Sequence, residues 1–174
     1  DRKRATMLTN ETIRTMLARR SVRGYEPTPL TNEEVETLLE CGNWAPSAMN
    51  HQTTTMVATQ DAALIEAIAA DFGGNFHYKA PCLIFLFSKD DGSRWTDFNA
   101  ALVAENICLA AQSLGLSTVQ LGCIYNMMND EKGLVWKEKM GIDATDTFRL
   151  AVAVGHGAVT PNAPARKEET KKRI

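Results

Sequence analysis

Residues 98–122 read FNAALVAENICLAAQSLGLSTVQLG. Phe98–Leu114 is apolar on nearly every side of a helix, and Ala100, Ala101, Ala104, Ala110 and Ala111 keep that helix thin. A helix apolar almost all round belongs in a core. Thr96 or Asp97 is its expected cap and Gly115 its expected stop. Leu116–Leu121 follows as a short strand, with Gly122 just beyond. A central helix leading straight into a strand calls for a layered arrangement, in which the remaining elements pack around that pair.

The sequence on either side supplies those elements. Residues 9–19 read as a helix capped by Thr9 or Asn10, with Ile13, Met16 and Leu17 as its apolar stripe. Ser21–Pro29 is extended, because Gly24, Pro27 and Pro29 interrupt helical continuation. Thr31 and Glu34 form a capping box for a second helix, whose inner face is Val35, Leu38 and Leu39. That helix is expected to end near Cys41–Asn43, with Gly42 as the cap. Ala45–Gln52 is irregular and Thr53–Thr59 reads as a strand. Asp61 begins a helix running to about Asp71, and a loop occupies Phe72–Lys79. Ala80–Phe87 is a continuous apolar strand, expected to be buried on both faces. Ser88–Trp95 is a polar turn, Asp130–Met140 a surface helix and Phe148–Val154 a further strand. The mixed order of helices and strands predicts a central sheet with helices on both faces.

Composition narrows the class. A chain of 174 residues and 19.2 kDa suits one domain, and 44% hydrophobic with 23% charged residues fits a globular protein. No apolar run approaches the ~20 residues of a membrane helix, and no signal-peptide pattern opens the chain. Cys41, Cys82, Cys108 and Cys123 show no CxxC and no nearby His, so reduced thiols in a cytoplasm are expected rather than zinc or a disulfide framework. Residues 1–8 read as an extension or cloning remnant, with Met7 a candidate start, and 168–174 as a charged tail. The formal charge is −2, but it is unevenly spread. Arg2, Lys3, Arg4, Arg14, Arg19, Arg20 and Arg23 crowd one end, and Arg166, Lys167, Lys171, Lys172 and Arg173 the other. These ends lack the interleaved aromatics that nucleic-acid binding would need.

Two segments carry candidate chemistry. In an extended Arg19-Arg20-Ser21-Val22-Arg23, Arg19, Ser21 and Arg23 point to one side. Two guanidinium forks around a hydroxyl suit a phosphate. The same arginines would equally offset a helix dipole. Ala45-Pro46-Ser47-Ala48-Met49-Asn50-His51-Gln52 offers hydrogen-bonding groups for a heteroaromatic edge or a ribityl chain, or is simply a polar loop. Gly155-His156-Gly157 follows a strand but lacks the third glycine and the helix of a dinucleotide fingerprint, so it reads as a tight turn. No hydrolase elbow or metal spacing is present.

Taken in order, RRSVR at 19–23, WAPSAMNHQ at 44–52 and LAAQSLGLSTVQLG at 109–122 strongly resemble the FMN-dependent nitroreductase family, and Arg166-Lys167 near a Pro-rich tail fits too. The resemblance covers Thr9 to Lys167, implying a single domain over 9–167. It implies an α+β fold, three-layer α/β/α with a mainly antiparallel central sheet, and an obligate-type homodimer with FMN at the interface. Arg19, Arg20, Ser21 and Arg23 would hold the FMN phosphate and ribityl chain. Pro46, Ser47, Met49, Asn50 and Gln52 would approach the flavin from the partner subunit. Backbone groups of Gln120, Leu121 and Gly122 would lie near flavin N5, and Arg166 or Lys167 would close on the phosphate. The implied activity is NAD(P)H-driven reduction of a nitroaromatic, quinone or similar acceptor by ping-pong transfer at N5, with no side-chain nucleophile. The competing readings are a flavin-binding member with a dedicated non-nitro substrate, and a non-enzymatic anion-binding dimer. The family's Gln-Pro-Trp is replaced here by Gln52-Thr53-Thr54, and the lid segments around Phe72–Lys79 and Ser88–Trp95 are brief.

Overall fold

The strand Cys82–Lys89 (β2) buries every side chain from Cys82 through Ser88. A strand buried on both faces needs hydrogen-bonded neighbours at both edges and a hydrophobic layer on each side. The structure, a computed structural model that describes residues 7–171, supplies all four. β2 lies between β1 (Thr55–Thr59) and β4 (Asp146–Gly155), and β3 (Ser117–Leu121) pairs on the far side of β4. The order β1-β2-β4-β3 is antiparallel throughout. Arg2, Lys3 and Arg4 of the expected extension and Lys172 and Arg173 of the expected charged tail lie outside the described residues.

The pleat divides the core in two. Leu83, Phe85 and Phe87 join Phe148, Ala151 and Ala153 beneath Ile65 and Ile68 of α3 (Ala62–Phe72), with Trp136 and Met128 beside them. Cys82, Ile84 and Leu86 join Val152 and Val154 beneath Leu38 of α2 (Asn32–Asn43) and beneath Val103, Ala104, Ile107 and Ala111 of α4 (Trp95–Ser113). The result is the expected three-layer α+β sandwich. The β2–β4 register slips between Leu86 and Phe87, which pair with Leu150 and Phe148 and leave Arg149 as the extra residue of a β-bulge.

Local signals account for most element ends. Helix α1 (Glu11–Ala18) is capped by Asn10, whose side chain accepts from the Ile13 amide at 2.9 Å. The Thr31/Glu34 capping box forms as expected, at 3.1 and 2.8 Å. Asp61 caps α3, and Gly73 closes it in the left-handed region at φ 86°. Gly115, at φ 77°, stops α4.

Four expectations change. Helix α4 starts at Trp95, not Phe98, because Ser93 accepts from the Trp95 and Thr96 amides through its hydroxyl and carbonyl. Thr96 instead donates its hydroxyl to Asp91. Gly42 is no cap. It lies within α2, where a Cβ would come 2.6 Å from Met56 Sδ and 3.1 Å from Ile107, so the glycine permits close helix–sheet approach. A short helix, α5 (Tyr125–Met128), precedes α6 (Glu131–Lys139). Helix α6 is more than a surface element: Trp136 is buried, its indole donating to Asp71 at 3.0 Å, and Lys137 is buried as well. Helix α4 is covered on one side only: Phe98, Leu102 and Leu114 remain exposed, as do Met16 and Leu17 of α1. No described helix is long and apolar enough to cross a membrane.

Two predictions follow from this packing. Gly42→Ala lowers unfolding free energy by about 1–2 kcal/mol in urea, because overpacking outweighs the helix preference of Ala. In a Met56→Ala background the same change becomes neutral or stabilising, whereas a capping role would leave the loss unchanged. The second concerns His77, which is only 3% exposed. Burial holds its imidazole below the ordinary 6.5, against the opposing pull of Glu66 at 3.4 Å. Below pH 6.5 the unfolded chain therefore binds a proton that the native chain resists, and stability falls as the medium acidifies. In His77→Gln, denaturation midpoints fall less between pH 7.5 and 5.

Candidate functional site

The segment after α1 is tied to the sheet edge by its main chain. The Val22 amide donates to Thr118 O at 2.9 Å, and Ser21 bridges Thr118 in parallel. Farther along, Tyr25 bridges Gly157, the Glu26 amide donates to His156 O, and Gly24 O accepts from the Ala158 amide. Gly155-His156-Gly157 thus ends β4 and offers backbone partners to the incoming segment. Val22 and Tyr25 turn into the core, and Arg23 is left exposed.

The arginines divide the two roles open to them. Arg20 folds back on its own helix, donating to Leu17 O at 2.7 Å and Arg19 O at 2.8 Å, as a residue offsetting the helix dipole would. Arg19 lies 3.6 Å from Glu105, and the other oxygen of Glu105 accepts from the Gln120 side chain at 3.2 Å. Arg19, Glu105 and Gln120 therefore link the segment, α4 and β3. Glu105 is the one charged side chain between Phe98 and Leu114, and that isolation is its signal in the sequence. Arg166 and Lys167 are exposed beyond β4.

The free edge of β3 is the second feature. Thr118 O points to Val22, away from β4, so by alternation the main-chain groups of Gln120 face the same open edge. Leu121, the next residue expected to present backbone groups there, lies opposite Ala151 in the β3–β4 ladder with its side chain buried. At Gly122 a Cβ would meet nothing within 4 Å. The adjacent Cys123 is exposed.

The third feature is the loop Ala45–Thr53. Met49, Asn50 and Gln52 hold φ of 52°, 58° and 51°, a left-handed conformation costly for residues other than glycine, about 1–3 kcal/mol each. The loop is held by a few specific bonds. Ser47 Oγ accepts from the Gln52 amide at 2.9 Å, and the buried Asn99 accepts from the Ala48 amide at 3.0 Å. Pro46, Met49, Asn50 and Gln52 are exposed, and Ser47 is half-buried. Nothing in the sequence around Asn99 marked it as the anchor. A cavity of about 660 Å³ opens between this loop and the first turns of α4, with Met49, Trp95, Phe98 and Leu102 as its apolar wall. Asp91 sits at its mouth, held below the usual carboxylate range by the Ser93 amide and the Thr96 hydroxyl.

Within one chain these features remain in two groups. Arg19, Ser21 and Gln120 lie along the β3 edge, Gly122 follows the strand, and the exposed Arg23 follows the Val22–Thr118 hydrogen bond. The Pro46–Gln52 loop is anchored at Asn99, six residues earlier on α4 than Glu105, about 9 Å along the axis. Among the described residues no hydrogen bond joins the two groups.

An antiparallel sheet between helical layers, with a cationic segment along one edge, defines an α+β domain of three layers. The sequence profile of the nitroreductase family matches residues 16–78 and 71–156, and the chain belongs to that family. It is 26% identical over 174 residues to the NADPH-flavin oxidoreductase of Vibrio harveyi, covering 90% of this chain and 70% of that protein. Among solved structures, a nitroreductase with bound FMN from Bacteroides fragilis superposes with a TM-score of 0.87 at 24% identity, covering 95% of this chain and all of the other. An FMN-dependent nitroreductase from Clostridium difficile gives 0.80 at 24% identity, covering 95% and 99%. At these identities the superpositions speak to the fold.

The thiols offer a check on this geometry. Burial pushes Cys82 up to about 12 and also raises Cys108. With a thiol-specific chromogenic disulfide, Cys123 is expected to react first and Cys41 more slowly, while Cys82 and Cys108 react only on unfolding. Rapid modification of Cys108 would contradict the packing of α4 against the sheet.

Proposed function

We propose that residues 9–167 form an FMN-binding domain, and that the protein is a cytoplasmic NAD(P)H-dependent oxidoreductase acting on nitroaromatics, quinones or similar acceptors. The observation that carries this reading is the open β3 edge. Along it lie Arg19 beside Gln120, Ser21 beside Thr118, outward-facing main-chain groups at Gln120 and clear space at Gly122, with the exposed Arg23 following Val22, and together they suit the phosphate and ring of a flavin nucleotide. When bound, FMN supplies two-electron hydride chemistry.

The chain's own residues bind and orient. Arg19, Ser21 and Arg23 supply charge-assisted hydrogen bonds to the phosphate and ribityl chain, with Arg19 exchanging Glu105 for the phosphate. Arg20 contributes charge while capping α1. The Gln120 main chain presents a donor to the ring, and the space at Gly122 lets the ring approach. Arg166 or Lys167 closes over the phosphate from the C-terminal segment.

The loop bearing Pro46, Ser47, Met49, Asn50 and Gln52 reaches the flavin of a second copy. The exposed apolar side chains Met16, Leu17 and Leu114 are the contact surface of this homodimer. Each site then combines the sheet edge of one copy with the loop of the other, and the aromatic-lined cavity beside the loop receives the acceptor. Loop strain keeps Met49 and Asn50 in place without a conformational search when ligand arrives.

The test begins with the absorption spectrum of purified protein. Yellow protein, or tight FMN uptake by colourless protein, is expected, followed by NADH or NADPH oxidation with a quinone or nitrofurazone. Protein that neither carries nor binds FMN overturns the proposal. Arg23→Ala should weaken FMN binding by about tenfold or more, the scale of a charge-assisted hydrogen bond. It should also shift the flavin midpoint potential to more negative values, because a cation that favours reduced flavin is removed. An unchanged potential rejects that electrostatic role.

A further inference from the structure

The bulge at Arg149 places a cation where regular pairing would not. Leu86 pairs with Leu150 and Phe87 with Phe148, so Arg149 has no partner residue on β2. A bulge of this kind adds a second side chain to one face of the strand. Here Arg149 is added on the α4 side, next to Leu150, which packs against the α2/α4 core.

Its side chain is 6% exposed, and its guanidinium is used on three sides. Nε donates to Ser88 Oγ at 2.8 Å, Nη1 to Asp97 Oδ1 at 3.1 Å and Nη2 to Lys89 O at 3.4 Å. Ser88 and Lys89 end β2, and Asp97 lies in the first turn of α4. The intervening turn is fixed in its own right. Asp91 Oδ1 accepts from the Ser93 amide and the Thr96 hydroxyl, both at 2.8 Å. Arg149 thus grips both ends of the 89–97 connection.

That connection is one wall of the 660 Å³ cavity, contributing Asp91, Ser93, Trp95 and Thr96. The opposite wall, the Pro46–Thr53 loop, is tied to the same helix through Asn99. Trp95 packs edge-on against Phe98 at 5.8 Å, and Arg94 lies 4.7 Å over its ring, so this wall presents an aromatic surface.

We propose that Arg149 is a positioning residue for the cavity, holding its aromatic wall at the separation from the Pro46–Thr53 loop that admits a two-ring planar acceptor. This rests on the reading of the cavity as the acceptor site. Arg149 touches neither acceptor nor flavin. It acts through Asp97 and the 89–97 turn, and only a planar, multidentate fork can hold Ser88, Lys89 O and Asp97 together.

The test uses the full-length protein labelled with 5-fluorotryptophan. Its three tryptophans are assigned by Trp44→Phe, Trp95→Phe and Trp136→Phe. In Arg149→Met, the Trp95 fluorine resonance is expected to shift or broaden, while that of Trp136, on the other face of the sheet, stays in place. The KM for 1,4-naphthoquinone should rise at least fivefold relative to that for 1,4-benzoquinone. If Arg149→Met fails to fold, Arg149→Lys keeps the charge without the fork, and the same Trp95 shift is expected in smaller degree. An unmoved Trp95 resonance, equal movement at Trp136, or parallel KM changes for both quinones overturns the proposal. If the wild type oxidises NAD(P)H with neither quinone, the acceptor reading fails, and the fluorine spectra alone decide whether Arg149 sets the wall.

Discussion

The double-sided burial of β2 is the constraint on which the rest depends. Side chains from Cys82 to Phe87 are fully shielded from solvent, each large one worth about 1.5–3 kcal/mol in transfer from water. That burial requires a helical layer on each face and a paired strand at each edge. Helix α4 meets the requirement on one face only because it is thin there: Ala100, Ala104 and Ala111 are buried beside Val103 and Ile107. Its other side keeps Phe98 and Leu102 exposed. One element therefore serves both as core and as the frame for a surface site. With β2 and β4 in the centre, β3 becomes an edge strand, and the open edge at Gln120 is a consequence of that order.

The candidate site is held by α4 at two points. Glu105, in mid-helix, pairs with Arg19 and Gln120, while Asn99 and Asp97, near its start, hold the Pro46–Thr53 loop and Arg149. The charge pattern of the chain acquires meaning in this frame. Of the cations crowded near the N-terminus, Arg20 is occupied by helix carbonyls, Arg19 by Glu105, and Arg23 faces solvent beside the sheet edge. The proposed homodimer would join this edge in one copy to the strained loop in the other.

Much of the scaffold was legible because its signals are local. The Thr31–Glu34 box, the Asp61 cap and the Gly115 stop each depend on residues a few positions apart. The continuous apolar run at Ala80–Phe87 pointed correctly to a strand covered on both faces. Other features required distant partners. Gly42 looks like a cap in sequence, and only the position of Met56 and Ile107 shows that it allows close packing. Four residues are too few for α5 to show a helical period. The α4 start was misplaced because a Ser93 turn supplies its first bonds in place of a Thr96 cap. At the site, the arginine cluster and the Ala45–Gln52 loop were recognisable as motifs, whereas Asn99 and Arg149 take their roles from contacts across 51 and more residues. Glu105 was the exception: a lone charge in an apolar helix was a usable clue.

The central claim is that one flavin site draws its sheet edge and its loop from different copies of the chain. It is tested most directly by subunit complementation. A variant carrying Arg19→Ala and Arg23→Ala is coexpressed with one carrying Ser47→Ala and Asn50→Ala, the two distinguished by affinity tags, and FMN is counted in the purified mixed dimer. Each variant alone should hold little FMN, and the mixed dimer should regain one FMN per two chains, because one of its two sites is then wholly native. Mixed dimers as empty as the parent variants would contradict a shared site and place both halves of it within a single chain.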